Sequence, residues 1–525
     1  MVTFNPRATT GSIGNRYVNH RRPFGASRFK TASQGLHERR APKQVLPPAV
    51  AVRGDDRPVG SLRPRTKLHA GADAISNAES GKIASSEDPK ASLVPVLLSV
   101  CVASLGAFLF GYHLGVVNGP LEAIAADLGF AGNTVLQGSV VSTLLAGAAV
   151  GASTGGALAD KLGRRMALIV DTAVLISGAM LSASASSLNA MLVGRFIAGL
   201  GIGVSSGVVP IYISEVAPTA IRGALGSINQ LVICLGILGA LLVNVVVDPT
   251  KWPFMFTLAT IPAVLLAVGM SFCPESPTWL AAQGKKAEAE EVMVKLWGKS
   301  EAIADESKED AGSAAPSIFS GKYIKVAAIG CALFLFQQFS GVNAIVYFSS
   351  KVFQDAGMSS ATLASAAVGA TNVLGTIFAT SLMDKAGRKQ LLTFSYLGMG
   401  IAMLSMAAGF SVEALSAFSG PIALIGTLVY IMSFGLGVGP VPALVIPEIA
   451  PAEIRGSAMS LAMLTHWVAN FGIGQLFLPA LASFGVSRVY VFFAAVAFAA
   501  IFFTNKFLVE TAGRSLEESA KDMSA

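Results

Sequence analysis

Apolar residues run along this chain in long blocks, not in strand-like alternation. Twelve blocks approach the roughly 20 residues that carry a helix across a bilayer. They are 93–118, 135–158, 167–187, 190–213, 224–247 and 253–272, then 324–348, 361–382, 391–410, 421–445, 456–480 and 487–507. The pattern predicts an all-α membrane protein of twelve transmembrane helices. Acidic residues fall in loops or near the ends of these blocks, so no mid-membrane carboxylate is expected.

The polar punctuation between the blocks is duplicated. Residues 160–165 read Asp-Lys-Leu-Gly-Arg-Arg, and residues 384–389 read Asp-Lys-Ala-Gly-Arg-Lys. Glu215, Ala-Pro and Arg222-Gly223 follow the first, and Glu448, Ala-Pro and Arg455-Gly456 follow the second. Glu and Arg stand seven residues apart in both copies, which lie 224 to 233 residues apart. A repeat of charged loops in an apolar chain implies two six-helix halves related by pseudo-symmetry. In secondary transporters the binding site lies at such a repeat interface. The expected division is a leader at 1–90, a first half at 91–273 and a polar loop with short surface helices at 274–323. A second half at 324–508 and a polar tail at 509–525 complete it.

The repeated charges have a candidate task. Arg164 and Arg165 stand between spans two and three, and Glu215 and Arg222 at the ends of spans four and five. Arg388, Glu448 and Arg455 are their copies. Ion pairs among such helix ends can hold the half-bundles together on one face, to be broken when that face opens. Marking the cytoplasm-like side is the plainer use of the same charges.

Composition agrees with a lipid environment. The chain is 53% hydrophobic and 13% charged, against about 25% charged in soluble proteins. The glycine-rich runs Gly199 to Gly203 and Gly435 to Gly439 do not complete a dinucleotide-binding fingerprint. They read as close helix packing.

The first 90 residues differ in kind. They carry 16 Lys+Arg against 7 Asp+Glu, and residues 1–37 contain no acid. An Arg-rich, Ser-rich, acid-poor end without an apolar core reads as an organellar transit peptide, although a disordered tail shares this composition. This segment accounts for more than the whole net charge of +7, so the basic balance does not argue for nucleic acid. In the rest of the chain, one set of loops with the tail carries 18 Lys+Arg, and the opposite loops carry Lys251, Lys351 and Arg488. That asymmetry places both termini and the 273–323 loop on the positive side of the membrane. Cys101, Cys234, Cys273 and Cys331 have no metal-ligand spacing. No catalytic set and no cofactor motif emerges, so neither an enzyme nor a bound metal is expected.

Several motifs in order resemble the sugar porter family of the major facilitator superfamily over residues 93–515. They include Gly111-Tyr-His113-Leu-Gly-Val116, both Gly-Arg-Arg/Lys loops, and Gly194-Arg195-Phe196. Pro210-Ile-Tyr-Ile-Ser-Glu215, Pro274-Glu275-Ser276-Pro277 and Gln337-Gln338-Phe-Ser-Gly341-Val-Asn343 follow, with Val509-Glu510-Thr511 near the end. The leader and His113 make the chain most similar to plastid glucose carriers within that family.

The resemblance implies a hexose site at mid-membrane. Gln230, Gln337, Gln338, Asn343, Asn372 and Asn470 would hydrogen-bond the sugar, and Trp467 would wall its ring. Neutral amides suit hydroxyls, which both donate and accept; amides in membranes also glue helices together. Gln337, Gln338 and Asn343 share one helix, so not all of them need face a cavity. His113 stands where proton-coupled relatives have Asp, with Arg195 as its expected neighbour. That fixed cation is expected to keep His113 neutral and hydrogen-bonding. Gly435 and Ala443 fall where relatives carry an acid and a Trp, which lowers the ceiling of the site. Thr278 replaces the Arg usual in that motif, which weakens one gate ion pair. These features predict a monomeric carrier in the lipid bilayer that moves glucose or a similar hexose by facilitative uniport across the plastid inner envelope. A proton–hexose symporter is the alternative within transport. A sugar sensor or an envelope structural protein are the alternatives outside it.

Overall fold

A computed structural model describes residues 93–219, 221–299, 317–321, 323–512 and 514. The leader, the later part of the polar loop and most of the tail lie outside the described residues. The described chain is almost entirely helical. Twelve helices or helix pairs are long and apolar enough to cross a membrane. Spans one to six are Val94–Gly115, Thr134–Leu162, Arg164–Ala183, Leu188–Val216, Arg222–Val246 and Pro249–Phe272. Spans seven to twelve are Ile324–Asp355, Ala361–Met383, Arg388–Ser411, Glu413–Ile449, Arg455–Phe484 and Val486–Phe507.

Spans one to six pack mainly among themselves, and so do spans seven to twelve. Two seams join the halves: span two lies on span eleven, and span five on span eight. Phe and Leu side chains face outward in number, among them Phe272, Phe394 and Phe502, which is where lipid is the solvent. The interior contacts rest on small residues. Gly147 and Gly151 of span two meet Gly199 and Gly203 of span four so closely that a Cβ at any of the four would strike backbone of the other helix. The first glycine run is therefore a packing surface, as its pattern suggested. Gly435 does the same against Gly375 of span eight.

Two spans are broken at mid-length. Span seven is interrupted at Ser340 and Gly341, between the helices Ile324–Phe339 and Val342–Asp355. Gly341 has φ +98°, which an L side chain rarely adopts. Span ten is interrupted between Ser419–Leu436 and Val441–Ile449. Irregular backbone at this depth must line a cavity or find protein partners. Here Gln337 of span seven donates its Nε2–H to the carbonyls of Val438 at 2.7 Å and Gly439 at 3.2 Å, so one break satisfies the other. In the polar loop, Pro277–Ala282 and Lys286–Trp297 form short helices.

Candidate functional site

The two breaks and the inner faces of spans one, four, five, eight and eleven enclose a cavity of about 330 Å³. All seven residues named from sequence line it: Gln230, Gln337, Gln338, Asn343, Asn372, Trp467 and Asn470. The break in span seven explains how Gln337, Gln338 and Asn343 can all face inward. A straight helix would have turned one of them away. Their amides form a chain. Gln338 Nε2 lies 3.1 Å from Gln337 Oε1 and 2.9 Å from His466 Nδ1, and Gln338 Oε1 accepts from Asn343 Nδ2. Gln337 is committed to the span-ten backbone, so its part is to hold Gln338. Asn470 Oδ1 accepts from the Tyr347 hydroxyl at 3.1 Å. Gln230 makes a long contact to Cys234 Sγ at 3.7 Å. Trp467 is fully buried, packs edge-on against Phe110 and His466, and its indole N–H has no protein partner.

His466, Asn229, Ser205 and Ser206 also line the cavity and were not assigned to it from sequence. Of these, His466 alone carries a sequence signal, as an ionisable residue inside a span. Because its Nδ1 takes the Gln338 amide proton, a neutral ring carries its own proton on Nε2, turned away from Gln338. Among the described residues the lining contains no Asp, Glu, Lys or Arg. Ala443 forms part of it, a small residue where a Trp was anticipated in relatives. Gly435 instead lies in the contact between spans eight and ten.

The candidate coupling pair is arranged differently from expectation. His113 and Arg195 are both buried. Arg195 donates to the backbone carbonyls of His113 and Val140, both at 3.1 Å, and lies 5.8 Å from the centre of the Phe256 ring. Neither His113 ring nitrogen has a hydrogen-bond partner. The imidazole is thus not the hydrogen-bonding group anticipated, because the guanidinium reaches past it to the main chain. Nor are acids confined to span ends. Asp171 sits within span three at 1% exposure, and Ser205 Oγ donates to its Oδ2 at 2.6 Å.

The repeated charges form two local clusters rather than a clasp between halves. Arg164 pairs with Glu215 at 3.0 Å and with Asp160 at 3.0 Å. Arg388 pairs with Glu448 at 3.2 Å. Each pair lies inside one half. Arg165 spends its guanidinium on the carbonyls of Met270 and Ser271. Arg222 is exposed and makes no ion pair among the described residues, and Arg455 Nε is likewise unpartnered. Sequence reasoning quoted Glu275 and Glu510 only as motif letters. Glu275 accepts the backbone N–H of Arg164 and Arg165, and Glu510 that of Arg388 and Lys389.

Near the low-charge face the halves do touch. Asn118 donates to Val346 O and to Ser349 Oγ, and accepts from Ser350 N at 3.1 Å. Lys351 pairs with Glu122 at 2.8 Å. Gln475 reaches Ser142, Ser139 and Val135 O. No hydrogen bond joins the halves at the charged face among the described residues. The state is therefore closed on the low-charge side, which explains why the charged clusters do not bridge the halves.

A two-fold helical bundle with a neutral polar cavity at its broken helices, closed on one side, defines a membrane carrier of small uncharged solutes. Comparison narrows the class. The family model "Sugar (and other) transporter" matches residues 99–523, and the chain belongs to this family, the sugar porters of the major facilitator superfamily. Plastidic glucose transporter 4 of Arabidopsis thaliana is 54% identical over 433 residues, covering 81% of this chain and 79% of the relative. Glucose transporter GlcP of Staphylococcus epidermidis is 40% identical, covering 79% and 95%. Among solved structures, the inward open conformation of the xylose transporter XylE from E. coli matches with TM-score 0.70 at 29% identity, covering 81% of this chain and 99% of that one.

Proposed function

We propose that this sugar transporter carries glucose, or a closely similar hexose, down its gradient across the plastid inner envelope by alternating access. The carrying observation is the cavity lined by Gln230, Gln338, Asn343, Asn372 and Asn470, with no charged side chain in its wall among the described residues. Such a wall offers donors and acceptors to hydroxyls and has no counter-charge for an ionic solute. Trp467 supplies an apolar face for the ring, and His466 Nε2 adds a donor. The names of the plastidic relatives support the organelle and the sugar, and the acid-poor leader supports import into it. Uniport is supported by His113, an unpartnered imidazole where a coupling acid would stand.

Proton-coupled uptake is the second reading, because one solved relative at 29% identity is described as a D-xylose–proton symporter. Radiolabelled glucose uptake by purified protein in liposomes, with and without a pH gradient, separates the two. Equilibration without accumulation supports uniport, and uphill accumulation driven by protons overturns it.

A further inference from the structure

We propose that Asp171 is a positioning residue for the sugar site, fixing the hydroxyl of Ser205 so that the Ser205 oxygen serves the cavity as an acceptor. The inference deepens the sugar-transport reading and rests on it.

Asp171 lies on span three, behind the cavity wall, and Ser205 lies on span four in that wall. Serines in helices usually return their proton to a carbonyl of the preceding turn. Ser206 does so, to Gly203 O at 2.7 Å, and Ser214 does so to Ile211 O at 2.8 Å. Ser205 does not. Its proton goes across to Asp171 Oδ2 at 2.6 Å, which leaves the lone pairs of its oxygen as the free side. Gly106 of span one passes close to this oxygen without a side chain: a Cβ there would stand 3.3 Å from Ser205 Oγ. Gly201, one turn before Ser205, makes room for the carboxyl, since a Cβ there would lie 3.1 Å from Asp171 Oδ1 and 2.6 Å from Leu175 Cγ.

The carboxyl is not a stabilising ion pair. Asp171 Oδ1 is buried with no partner, and no cation lies within pairing distance among the described residues. The charged residues on the helices packed against span three are Arg195 and Glu215, ten residues to either side of Ser205, with Asp160 and Lys161 at the end of span two and Lys251 at the start of span six. A half-satisfied acid inside a membrane protein is costly. A leucine would pack the same seam at lower cost, so a role in orienting Ser205 accounts for the acid and a role in packing does not.

Glucose and its five monodeoxy analogues, competing for uptake into liposomes, test the proposal. The wild-type protein should favour glucose over at least one monodeoxy analogue by about fivefold, the worth of one net hydrogen bond. Ser205→Ala and Asp171→Leu should each erase that same preference and raise the half-saturation for glucose, with little further change in the double variant. Asp171→Asn keeps an accepting oxygen and should restore most of the preference, while Ser177→Ala, on the exposed face of span three, should leave it intact. Wild-type protein that moves no sugar would sink the transport reading itself. A Ser205→Ala protein with the wild-type analogue profile would overturn the role proposed for Asp171, even where Asp171→Leu fails to fold. Reduced melting temperature in Asp171→Leu with half-saturation and profile unchanged would also overturn it, leaving Asp171 as glue between two spans.

Discussion

Glu275 accepts the backbone N–H of Arg164 at 2.9 Å, reaching from the end of span six to the first residue of span three. Glu510 repeats the contact to Arg388 at 2.8 Å in the second half. Both helices begin after a glycine with positive φ, Gly163 at +89° and Gly387 at +80°. A carboxylate at a helix N-terminus satisfies orphan donors and meets the positive end of the helix dipole. Each half is thereby tied across its charged face to its own last segment.

Replacing Glu275 with Ala removes a cap that serves two backbone donors. The cost is about 1–2 kcal/mol, seen as a lower melting temperature of the purified carrier. Glu510→Ala should cost a similar amount, since the geometry is repeated. Gln in place of Glu keeps an acceptor and should recover part of the loss. Unchanged melting in both Ala variants would mean that water caps these helices as well as the carboxylates do.

The apolar blocks and the repeated loops made the fold legible, because both are set by local composition. The six amides and the tryptophan that the resemblance implied all lie in the cavity wall. Other features depend on pairing over distances that spacing along the chain does not encode. Glu275 meets Arg164 across 111 residues, and Asp171 meets Ser205 across 34. The sequence pattern put Asp171 close to a span end. The helix starts at Arg164, so the residue is two turns inside and enclosed by span four. The charged repeats were read as bridges between halves, but which partner a guanidinium takes depends on the face that is open.

Arg222 and Arg455 make no ion pair among the described residues, in a state closed on the opposite, low-charge side. The gate reading proposed for them assigns their use to the opposite state, when the charged faces would close on each other. Charge reversal at either should slow net glucose transport several-fold, while Lys286→Glu on the exposed loop helix should not. A helix-end partner left unpaired costs about 1–3 kcal/mol, ample to shift the balance between states. Initial uptake rates at matched protein abundance decide it. Equal tolerance at all three positions would leave these arginines as topology markers alone.

Asn118 holds the closed side, bonding three positions of span seven with one amide. Asn118→Ala should shift the population toward the state open on the low-charge face. Loss of two or three buried hydrogen bonds is worth about 1–3 kcal/mol, or roughly tenfold in the equilibrium. A cysteine at position 346, in a protein freed of its four native cysteines, reports the change. An impermeant maleimide applied to the low-charge face should label it faster in the Ala variant. Labelling at the same rate would place the outer closure on Lys351–Glu122 and Gln475 instead.

Residues 1–90 should be dispensable for transport and required for import. The basis is the stretch of 37 residues with six Lys or Arg and no acid, which suits an organellar import signal. A fluorescent fusion carrying residues 1–100 should enter plastids, and a protein lacking residues 2–90 should still equilibrate glucose in liposomes. A fusion that stays in the cytosol refutes the targeting role.

Energy coupling gives the most direct test of the site. A carrier that moves a proton with each sugar needs a group that gains and loses that proton as the cavity changes sides. At the span-one position this chain has His113, whose ring nitrogens make no hydrogen bond while Arg195 binds its backbone carbonyl. The Arg195 guanidinium is spent on main-chain carbonyls and the Phe256 ring, not on the imidazole. Proton exchange at His113 therefore has no partner to accept or relay the charge. In liposomes with an inward proton gradient, glucose should equilibrate and not concentrate. His113→Asn should keep equilibrative transport within about twofold, since no hydrogen bond is lost. Gln338→Ala should behave in the opposite way. That amide joins Gln337, Asn343 and His466 in the cavity wall, so its loss removes a proposed sugar contact and releases three neighbours. The half-saturation should rise by at least roughly tenfold. Should the wild-type protein concentrate glucose under the gradient and His113→Asn abolish that accumulation alone, the carrier is a symporter and His113 is its proton site.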